Sequence, residues 1–343
     1  MTHRFPIKEI ARQAGLGPAT IDRVLNNRAH VSPQTRLRVK AAIEELEAQE
    51  AQLTARGRRL FFDFVVEAPA RFSREIKAAT ESVLPEIGGA VCRPRFTLQE
   101  MMEPQDVVAI LRRIAKRGSD GVVLKVRDTP NIREALALLR STEIPVVTLV
   151  TDITGGDRQA YVGVDNAGAG CTAAYLMAHV LQGGTGTILA TRSHEGFSGE
   201  EAREEAFQVA LAVRCPELKI VSLQGGSGVD VGTSRLLADR LSELGALRGV
   251  YSMGGGNRAI LSVLGAQGLH PEVYVAHDLD RENRDLLCAR RLSFVLHHDL
   301  RSDIRNAFKV FLSHHRLSVD FVAPAVSTVQ VLTPENVPEL PTL

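Results

Sequence analysis

Residues 6–46 have the sequence PIKEIARQAGLGPATIDRVLNNRAHVSPQTRLRVKAAIEEL, and apolar residues repeat at helical spacing in three places along it. These are Ile7, Ile10, Ala11 and Ala14, then Ile21, Val24 and Leu25, then Val39, Ala42, Ile43 and Leu46. Gly15 ends the first helix, Pro18 suits the first position of the second, and Ser32 has the side chain of an N-cap for the third. The pattern predicts a helix-turn-helix unit over residues 1–46.

Positive charge is concentrated in the same segment. Residues 1–40 contain eight Arg or Lys and two acidic residues, a net charge of +6, so the remainder of this chain of net charge +1 carries −5. A basic segment on an acidic body is typical of a module that binds a polyanion, although a basic face is also common as an ordinary solvated surface.

The segment resembles the DNA-binding domain of the lac repressor (LacI/GalR) family. The resemblance rests on Ile10-Ala11, the Ala14-Gly15 turn, Ala19-Thr20, Arg23-Val24-Leu25-Asn26, Val31-Ser32 and Thr35-Arg36, in that order. It implies a transcriptional regulator, in most cases a repressor, that binds double-stranded operator DNA as a homodimer or a tetramer. The rest of the chain is similar, at weaker identity, to the effector-binding core of that family, which itself resembles periplasmic sugar-binding proteins.

The second helix is the element expected to read DNA. A helix of this length fits the major groove, and its first exposed residues reach the base edges. Arg23 is suited to a bidentate pair with a guanine, and Pro18 and Ala19 offer apolar contact with a thymine methyl group. The alternative for Arg23 is a surface ion pair with a neighbouring residue.

Other polar side chains around this helix suit phosphate oxygens, which position a domain without carrying sequence information. They are Thr20, Asn26, Ser32 and Thr35. Asp22 departs from the family pattern, which has a small hydroxyl residue there. Either this phosphate contact is lost, or the carboxylate accepts a hydrogen bond from a cytosine amino group.

Residues 47–60, EAQEAQLTARGRRL, have neither a clear apolar face nor a strong stop signal, and we interpret them as a hinge or linker. The hinge of the resembling family normally contains Pro-Asn and a Leu that wedges into the minor groove. This segment has no Pro, Gly57 lies where that Leu would align, and Leu53 is the substitute that the sequence offers. The resemblance therefore does not imply that this protein kinks its operator strongly.

From residue 61 onward, short apolar runs alternate with helical patterns such as PQDVVAILRRIAKRG. The strand-like runs are FFDFVV, GVVLKV, PVVTLV, GTILAT, LKIVSL, GVYSM, EVYVAH and SFVLH. This alternation predicts βαβ units and parallel sheets flanked by helices. Because one sheet rarely holds so many residues, we predict an α/β domain of two lobes over residues 61–337, like the periplasmic binding proteins. Its boundaries are about 61–165 with 297–324 for lobe 1, and about 166–293 with 325–337 for lobe 2.

The cleft between two such lobes is a usual site for a small ligand. The resemblance implies a sugar or polyol held by planar donors, carboxylates and an aromatic ring, and matching by position gives Phe72, Asp152, Arg203, Asn257, Asp278 and His298. Arg203 is the strongest candidate, because it occupies the place of the ligand arginine in the family motif R-x-x-G-[FW], although Ala206 replaces the Gly. Its alternative is an ion pair with Glu200 or Glu204 on the same helix.

The other candidates also have structural alternatives. Phe72 equally suits a core aromatic, and His298 suits a packing histidine. Asp152 and Asp278 suit helix caps or solvated loops. Asn257 follows three glycines that lead into a helix, where an anion is physically possible.

The sequence gives no support for catalysis, a cofactor or a metal. It has no nucleophile elbow, no HExxH motif and no phosphate loop, and its four cysteines are scattered without a CxxC pair. Its longest apolar runs are far shorter than the roughly 20 residues that span a bilayer, and no signal-peptide pattern precedes the first helix. We therefore expect a cytoplasmic protein that does not insert into a membrane.

Two other classes of protein share a two-lobed body. The solute-binding protein of a transporter needs export and has no use for a DNA-binding head. A two-lobed enzyme needs a nucleophile and a base in the cleft, which the sequence alone neither shows nor excludes.

Overall fold

The computed structural model describes residues 4–26, 28, 31–55, 58–317 and 326–338, and its N-terminal part is a group of three helices. They are α1 (Ile7–Ala14), α2 (Pro18–Leu25) and α3 (Pro33–Ala55). Gly15 ends α1 in the left-handed conformation, with φ of 61°. Ser32 Oγ accepts the N–H of Thr35 (3.1 Å), so Ser32 is the N-cap of α3, as predicted.

The third helix is longer than the sequence analysis predicted. It continues to Ala55, so most of the interval interpreted as a linker is helical. Residues 44–55, EELEAQEAQLTA, consist mainly of strong helix formers and contain neither Gly nor Pro. The linker interpretation relied on the absence of an apolar stripe, but a segment of strong helix formers can be helical without one. Leu53 lies within this helix, and Gly57 lies outside the described residues.

Lobe 1 is built on a parallel five-stranded sheet with the strand order β2-β1-β3-β4-β5. Its elements are β1 (Arg59–Glu67), α4 (Ala70–Val83), β2 (Val91–Gln99), α5 (Pro104–Arg117), β3 (Gly121–Lys125), α6 (Pro130–Ser141), β4 (Val146–Leu149) and β5 (Ala160–Val162). The central strand β1 places Phe64 beside Phe96 of β2 and Val123 of β3. Because helices cover both faces of this sheet, its inner strands β1, β3 and β4 are largely apolar and buried.

Lobe 2 is built on a six-stranded sheet with the order β11-β10-β9-β8-β6-β7. Its elements before the chain returns to lobe 1 are α7 (Asn166–Leu181), β6 (Gly186–Arg192), α8 (Ser198–Arg214), β7 (Leu218–Gln224), α9 (Asp230–Ala238), β8 (Leu247–Ser252), α10 (Asn257–Ala266), β9 (Val273–His277), α11 (Arg281–Cys288) and β10 (Phe294–His297). The strands are parallel except for the edge strand β11, which pairs antiparallel with β10.

The last two elements divide between the lobes. They are α12 (Leu300–His314) and β11 (Gln330–Leu332). The helix α12 belongs to lobe 1, because Phe308 and Phe311 lie 5.3 and 5.0 Å from the ring of Phe62 in β1. The strand β11 belongs to lobe 2.

The segments that join the lobes lie side by side. The chain passes to lobe 2 at residues 163–166 and returns to lobe 1 at residues 297–300. Ser327, on the way to β11, donates its N–H to the carbonyl oxygen of Gly163 (2.8 Å) and accepts the N–H of Asp165 (3.0 Å). This grouping of crossings is the arrangement of a hinge between two domains.

The predicted fold class, a helical head followed by a two-lobed α/β domain, is confirmed. The sequence analysis missed β2, β5 and β11. Strand β2 lies at a sheet edge and is half-exposed, so it forms no continuous apolar run, and the other two have three residues each. No helix of the described part has both the length and the apolar character needed to cross a membrane.

Candidate functional site

A cavity lies between the two lobes, at the carboxyl ends of the parallel strands. Glu67 ends β1 and Lys125 ends β3 on the lobe 1 side, and Ser193, Met253 and His277 lie at the ends of β6, β8 and β9 on the lobe 2 side. Its volume is about 750 Å³, including the space that opens to solvent at the mouth. This is the position expected for a small-molecule site in a two-lobed α/β protein.

Phe72 and Lys125 form part of the lobe 1 wall. The ammonium group of Lys125 donates to the backbone carbonyl oxygen of Glu67 (3.0 Å) and lies 4.4 Å from the ring centroid of Phe197 and 5.8 Å from that of Phe72. Burial lowers the pKa of Lys125. Phe72 therefore lines the cavity and also packs against the lobe 1 core.

Arg203 forms part of the lobe 2 wall. It lies on α8 and is 3% exposed, and it donates from Nε to Asn166 Oδ1 (2.7 Å) and from Nη1 to the carbonyl oxygen of Met253 (3.3 Å). The ion pair considered as its alternative does not form. Glu200 accepts hydrogen bonds from the backbone and hydroxyl of Ser193 instead, and Glu204 pairs with Arg192.

The position of Arg203 depends on close packing of α7 against α8. Gly170 of α7 lies against the backbone of Arg203, and a Cβ at Gly170 would come within 2.2 Å of the Arg203 carbonyl oxygen. A side chain at this position would force the two helices apart. Asn166, at the start of α7, can hold the guanidinium because the helices are this close.

Asp278 also lines the cavity, and a buried histidine lies behind it. Asp278 follows β9 in the left-handed conformation (φ 63°), and its Oδ1 lies 3.5 Å from Nε2 of His298. Nδ1 of His298 lies 2.6 Å from Oδ2 of Asp303 in α12. Burial alone would lower the pKa of His298, but the hydrogen bond to Asp303 and the negative charges of Asp278 and Asp303 raise that pKa to about 9. The protonated imidazole in turn holds the pKa of Asp278 well below its usual range.

His298 connects the cavity wall to the segments that join the lobes. It lies on the return crossing between β10 and α12, and Asp303 accepts a second hydrogen bond from the hydroxyl of Ser327 (2.6 Å). A change at Asp278 is thus linked through His298 and Asp303 to Ser327. His298 was predicted to face the ligand, but the structure buries it behind Asp278, where its cationic ring neutralises two carboxylates.

Two further predicted site residues lie outside the cavity lining. Asp152 pairs with Arg158 and accepts a hydrogen bond from the hydroxyl of Thr148 (2.7 Å). Asn257 is buried at the start of α10, where its side chain bonds to Asn283 (2.7 Å) and Tyr274 (3.0 Å). Each of these residues comes after a strand, as predicted, but its side chain forms hydrogen bonds or an ion pair with neighbouring protein residues and does not line the cavity.

The structure adds an ion pair between the lobes that sequence reasoning missed. Arg71, on α4 of lobe 1, places Nε 2.8 Å from Oδ2 of Asp280 at the start of α11 in lobe 2. Arg71 also donates to the carbonyl oxygen of Gly228 (2.9 Å). Both members line the cavity. No local pattern in the sequence indicates an ion pair between residues so far apart. Glu67 and Lys125, by contrast, are charged residues at the ends of apolar strands, and this pattern could have identified them as residues of the cleft.

The second helix of the head presents the side chains expected to read DNA. Pro18, Ala19 and Arg23 are exposed, and among the residues that the structure describes no ion pair involves Arg23. Asp22 instead pairs with Arg28 (3.3 Å) and accepts a hydrogen bond from the side-chain amide of Asn26 (2.8 Å). The carboxylate of Asp22 is therefore partly neutralised within the head.

The residues expected to contact phosphate are divided between exposed and structural positions. Asn26 and Ser32 are exposed, whereas Thr20 and Thr35 are half-buried. The hydroxyls of Ser32 and Thr35 lie 2.8 Å apart. Together they mark the start of α3, where the helix dipole favours an anion.

Comparison with known protein families gives two matches. Residues 99–310 match the family described as a periplasmic binding protein domain. Residues 6–47 match the family described as bacterial regulatory proteins, lacI family. The first match covers most of the two-lobed body, and the second covers the three-helix head.

The relatives of known function include two regulators. The HTH-type transcriptional regulator TreR of Escherichia coli is 34% identical over 126 residues, which cover 36% of this chain and 39% of TreR. The HTH-type transcriptional regulator AglR of Rhizobium meliloti is 29% identical over 175 residues, which cover 50% of this chain and 48% of AglR. The matched segments thus span from about two fifths to about half of the length of these relatives.

The solved structures with a similar fold include sugar-binding proteins. GanP, a glucose-galactose binding protein from Geobacillus stearothermophilus, has a TM-score of 0.71 at 17% identity, covering 82% of this chain and 99% of GanP. A transporter solute-binding protein from Bacillus halodurans with bound myo-inositol has a TM-score of 0.71 at 15% identity, covering 81% of this chain and 96% of that protein. At these identities the likeness shows the fold alone.

Proposed function

This chain belongs to the periplasmic binding protein domain family and carries a regulatory domain of the lacI family at residues 6–47, and from this we propose that it is a DNA-binding transcriptional regulator. It acts in the cytoplasm as a repressor that binds an operator as a homodimer. A small polar metabolite bound between the lobes changes its affinity for that operator.

The observation that carries this proposal is the combination, in one chain, of a base-reading helix and a two-sided cavity. Arg23 is exposed on α2, and Arg203, Asp278 and Phe72 line the cavity from opposite lobes. A solute-binding protein has no use for the first feature. A ligand that contacts both lobes favours the closed arrangement and so shifts the protein between two states.

The lining favours a polyhydroxylated ligand, a sugar or a polyol. Asp278 and Glu200 provide acceptors for hydroxyl hydrogens, Arg203 provides planar donors, and the ring of Phe72 provides an apolar face. Structural relatives that bind glucose and galactose or myo-inositol support this class of ligand.

On DNA, Pro18 and Ala19 join Arg23 at the base edges, and the exposed polar residues around α2 contact phosphates. A single short helix makes too few base contacts for useful specificity, so two copies of the head are needed on a near-palindromic operator. The pairing of Asp22 with Arg28 lowers the repulsion between that carboxylate and the DNA backbone.

Ligand binding reaches the head through the hinge and α3. Closure of the cleft moves lobe 1 against lobe 2 about the crossings that His298 and Ser327 occupy. Only three residues separate the end of α3 at Ala55 from the start of β1 at Arg59. A rotation of lobe 1 in a dimer therefore changes the spacing of the two recognition helices, on which half-site binding depends.

The test begins with selection of duplexes from fragmented genomic DNA by the full chain, followed by titration of the recovered site and a scrambled duplex. We expect a near-palindromic site that binds at least 10³-fold more tightly than the scrambled duplex, and a dimer in sedimentation at micromolar concentration. A thermal-shift screen of monosaccharides, polyols, sugar phosphates and purines then identifies ligands whose effect on operator binding is measured. A monomer without preference for any duplex contradicts the proposal.

A further inference from the structure

The cavity contains two buried cations, one from each lobe. Lys125 is 8% exposed at the end of β3, and Arg203 is 3% exposed on α8. Within the described ranges, neither forms an ion pair with a carboxylate, and the charge of Arg203 acts to lower the pKa of Lys125. Two like charges held in one cavity repel each other, and an anion between them removes that repulsion.

Five carboxylates line the cavity, and each has another partner; for Glu100 it is the N–H of Ala70 (3.2 Å). Glu67 pairs with Arg127 (3.0 Å), and Asp280 pairs with Arg71 (2.8 Å). Asp278 faces the protonated His298, and Glu200 accepts two hydrogen bonds from Ser193. Glu200, Glu67 and Asp278 act to raise the pKa of Lys125, but burial outweighs them and the pKa remains lowered.

The ammonium group of Lys125 retains hydrogen-bonding capacity. It has three N–H donors and, among the residues that the structure describes, one acceptor, the backbone carbonyl oxygen of Glu67 (3.0 Å). The rings of Phe197 and Phe72 flank it, which helps to retain a cation there but provides no hydrogen-bond acceptor. Because this cation is buried at the edge of a cavity and has unused N–H donors, we expect a ligand in the cavity to accept hydrogen bonds from it.

We propose that Lys125 and Arg203 form an oxyanion subsite, so that the effector is a polyhydroxylated compound bearing a carboxylate or a phosphate. This inference rests on the proposed function in that it takes the cavity to be the effector site. Arg203 offers a planar donor and Lys125 a compact positive charge, both of which bind carboxylate and phosphate oxygens. Because the cations come from opposite lobes, the anion also draws the lobes together.

The test uses thermal unfolding of the full chain in sodium phosphate, sodium acetate and sodium chloride at equal ionic strength. At an anion concentration ten times its Kd, phosphate or acetate raises the Tm of the wild-type protein by about 3 °C relative to chloride. Lys125→Met abolishes this increase, and Lys77→Met, which changes an exposed lysine of α4, retains it. The two anions distinguish a phosphoester from a carboxylic acid as the class of effector.

In the absence of anion, Lys125→Met is expected to have a Tm no lower than that of the wild-type protein. Met retains an apolar chain between Phe72 and Phe197 and removes a buried charge that lacks an ion-pair partner. If this variant fails to fold, Lys125→Gln replaces it in the same comparison.

A Tm increase that is equal in the Lys125 and Lys77 variants, or absent from the wild-type protein, overturns the oxyanion subsite. Either result leaves the operator selection described above untouched, because that experiment contains no effector. Conversely, a chain that fails to select DNA but shows the anion effect through Lys125 retains the subsite and loses the regulatory role.

Discussion

Replacement of His298 by Gln is the most direct test of the link between the cavity and the hinge. The substitution removes the cation that lies between Asp303, which is buried, and Asp278, whose side chain is 21% exposed on the cavity wall. Breaking a buried ion pair by removing one partner costs about 3–5 kcal/mol. The rise of the pKa of His298 from 6.5 to about 9 corresponds to about 3 kcal/mol at 1.36 kcal/mol per pH unit, the same order of magnitude.

The pH dependence of this stabilisation follows from the direction of the shift. Because the folded-state pKa of His298 is raised, its contribution is complete below about pH 6.5 and is lost as the pH rises through about 9. The wild-type protein is therefore expected to exceed His298→Gln in Tm by about 7 °C at pH 6.5, with a smaller difference at pH 10.

The assay is thermal unfolding of the full chain at several pH values, in which circular dichroism monitors the unfolding of the two-lobed body. His179→Gln is the matched control, since His179 is exposed on α7, where it bonds to the carbonyl oxygen of Tyr175 and its ring lies against that of Tyr175. The control should change stability by less than about 0.5 kcal/mol. A loss below about 1 kcal/mol in His298→Gln, or a loss that is the same at pH 6.5 and pH 10, refutes the reasoning.

Four further substitutions test the remaining parts of the argument. Arg203→Ala should leave operator binding intact but weaken effector binding by a few kcal/mol in calorimetry, and unchanged affinity would remove Arg203 from the ligand site. Arg23→Ala should cost roughly 1–3 kcal/mol on the operator and less on a scrambled duplex; equal losses on both would make it a phosphate contact. Asp22→Ser frees Arg28 for phosphate and should tighten binding to both duplexes, whereas weakening on the operator alone would indicate that Asp22 reads a cytosine. Gly170→Ala should destabilise the body by roughly 1–3 kcal/mol in urea unfolding, because its Cβ meets the backbone of α8, and a neutral effect would show that the helices separate freely.

The predictions from sequence succeeded where a local pattern carried the information. Apolar spacing with Gly15, Pro18 and Ser32 was enough to place the three helices of the head, because caps and helix stops depend on neighbouring residues. Buried parallel strands were recognised as apolar runs. The same reliance on apolar pattern missed the edge strand β2 and the last part of α3, where polar residues with suitable propensity form regular structure.

The sequence by itself determined the helical head, the alternation of strands and helices, and the strand ends at which polar residues meet the cleft. Only the tertiary structure decided what those polar residues do. That His298 is buried behind Asp278, while Asp278 lines the cavity, depends on Asp303, a partner supplied by α12 of the other lobe. The same holds for Arg71 and Asp280, which are distant in sequence and lie 2.8 Å apart. Side-chain roles in a cleft depend on contacts between separate elements, and one-dimensional periodicity carries no information about those contacts.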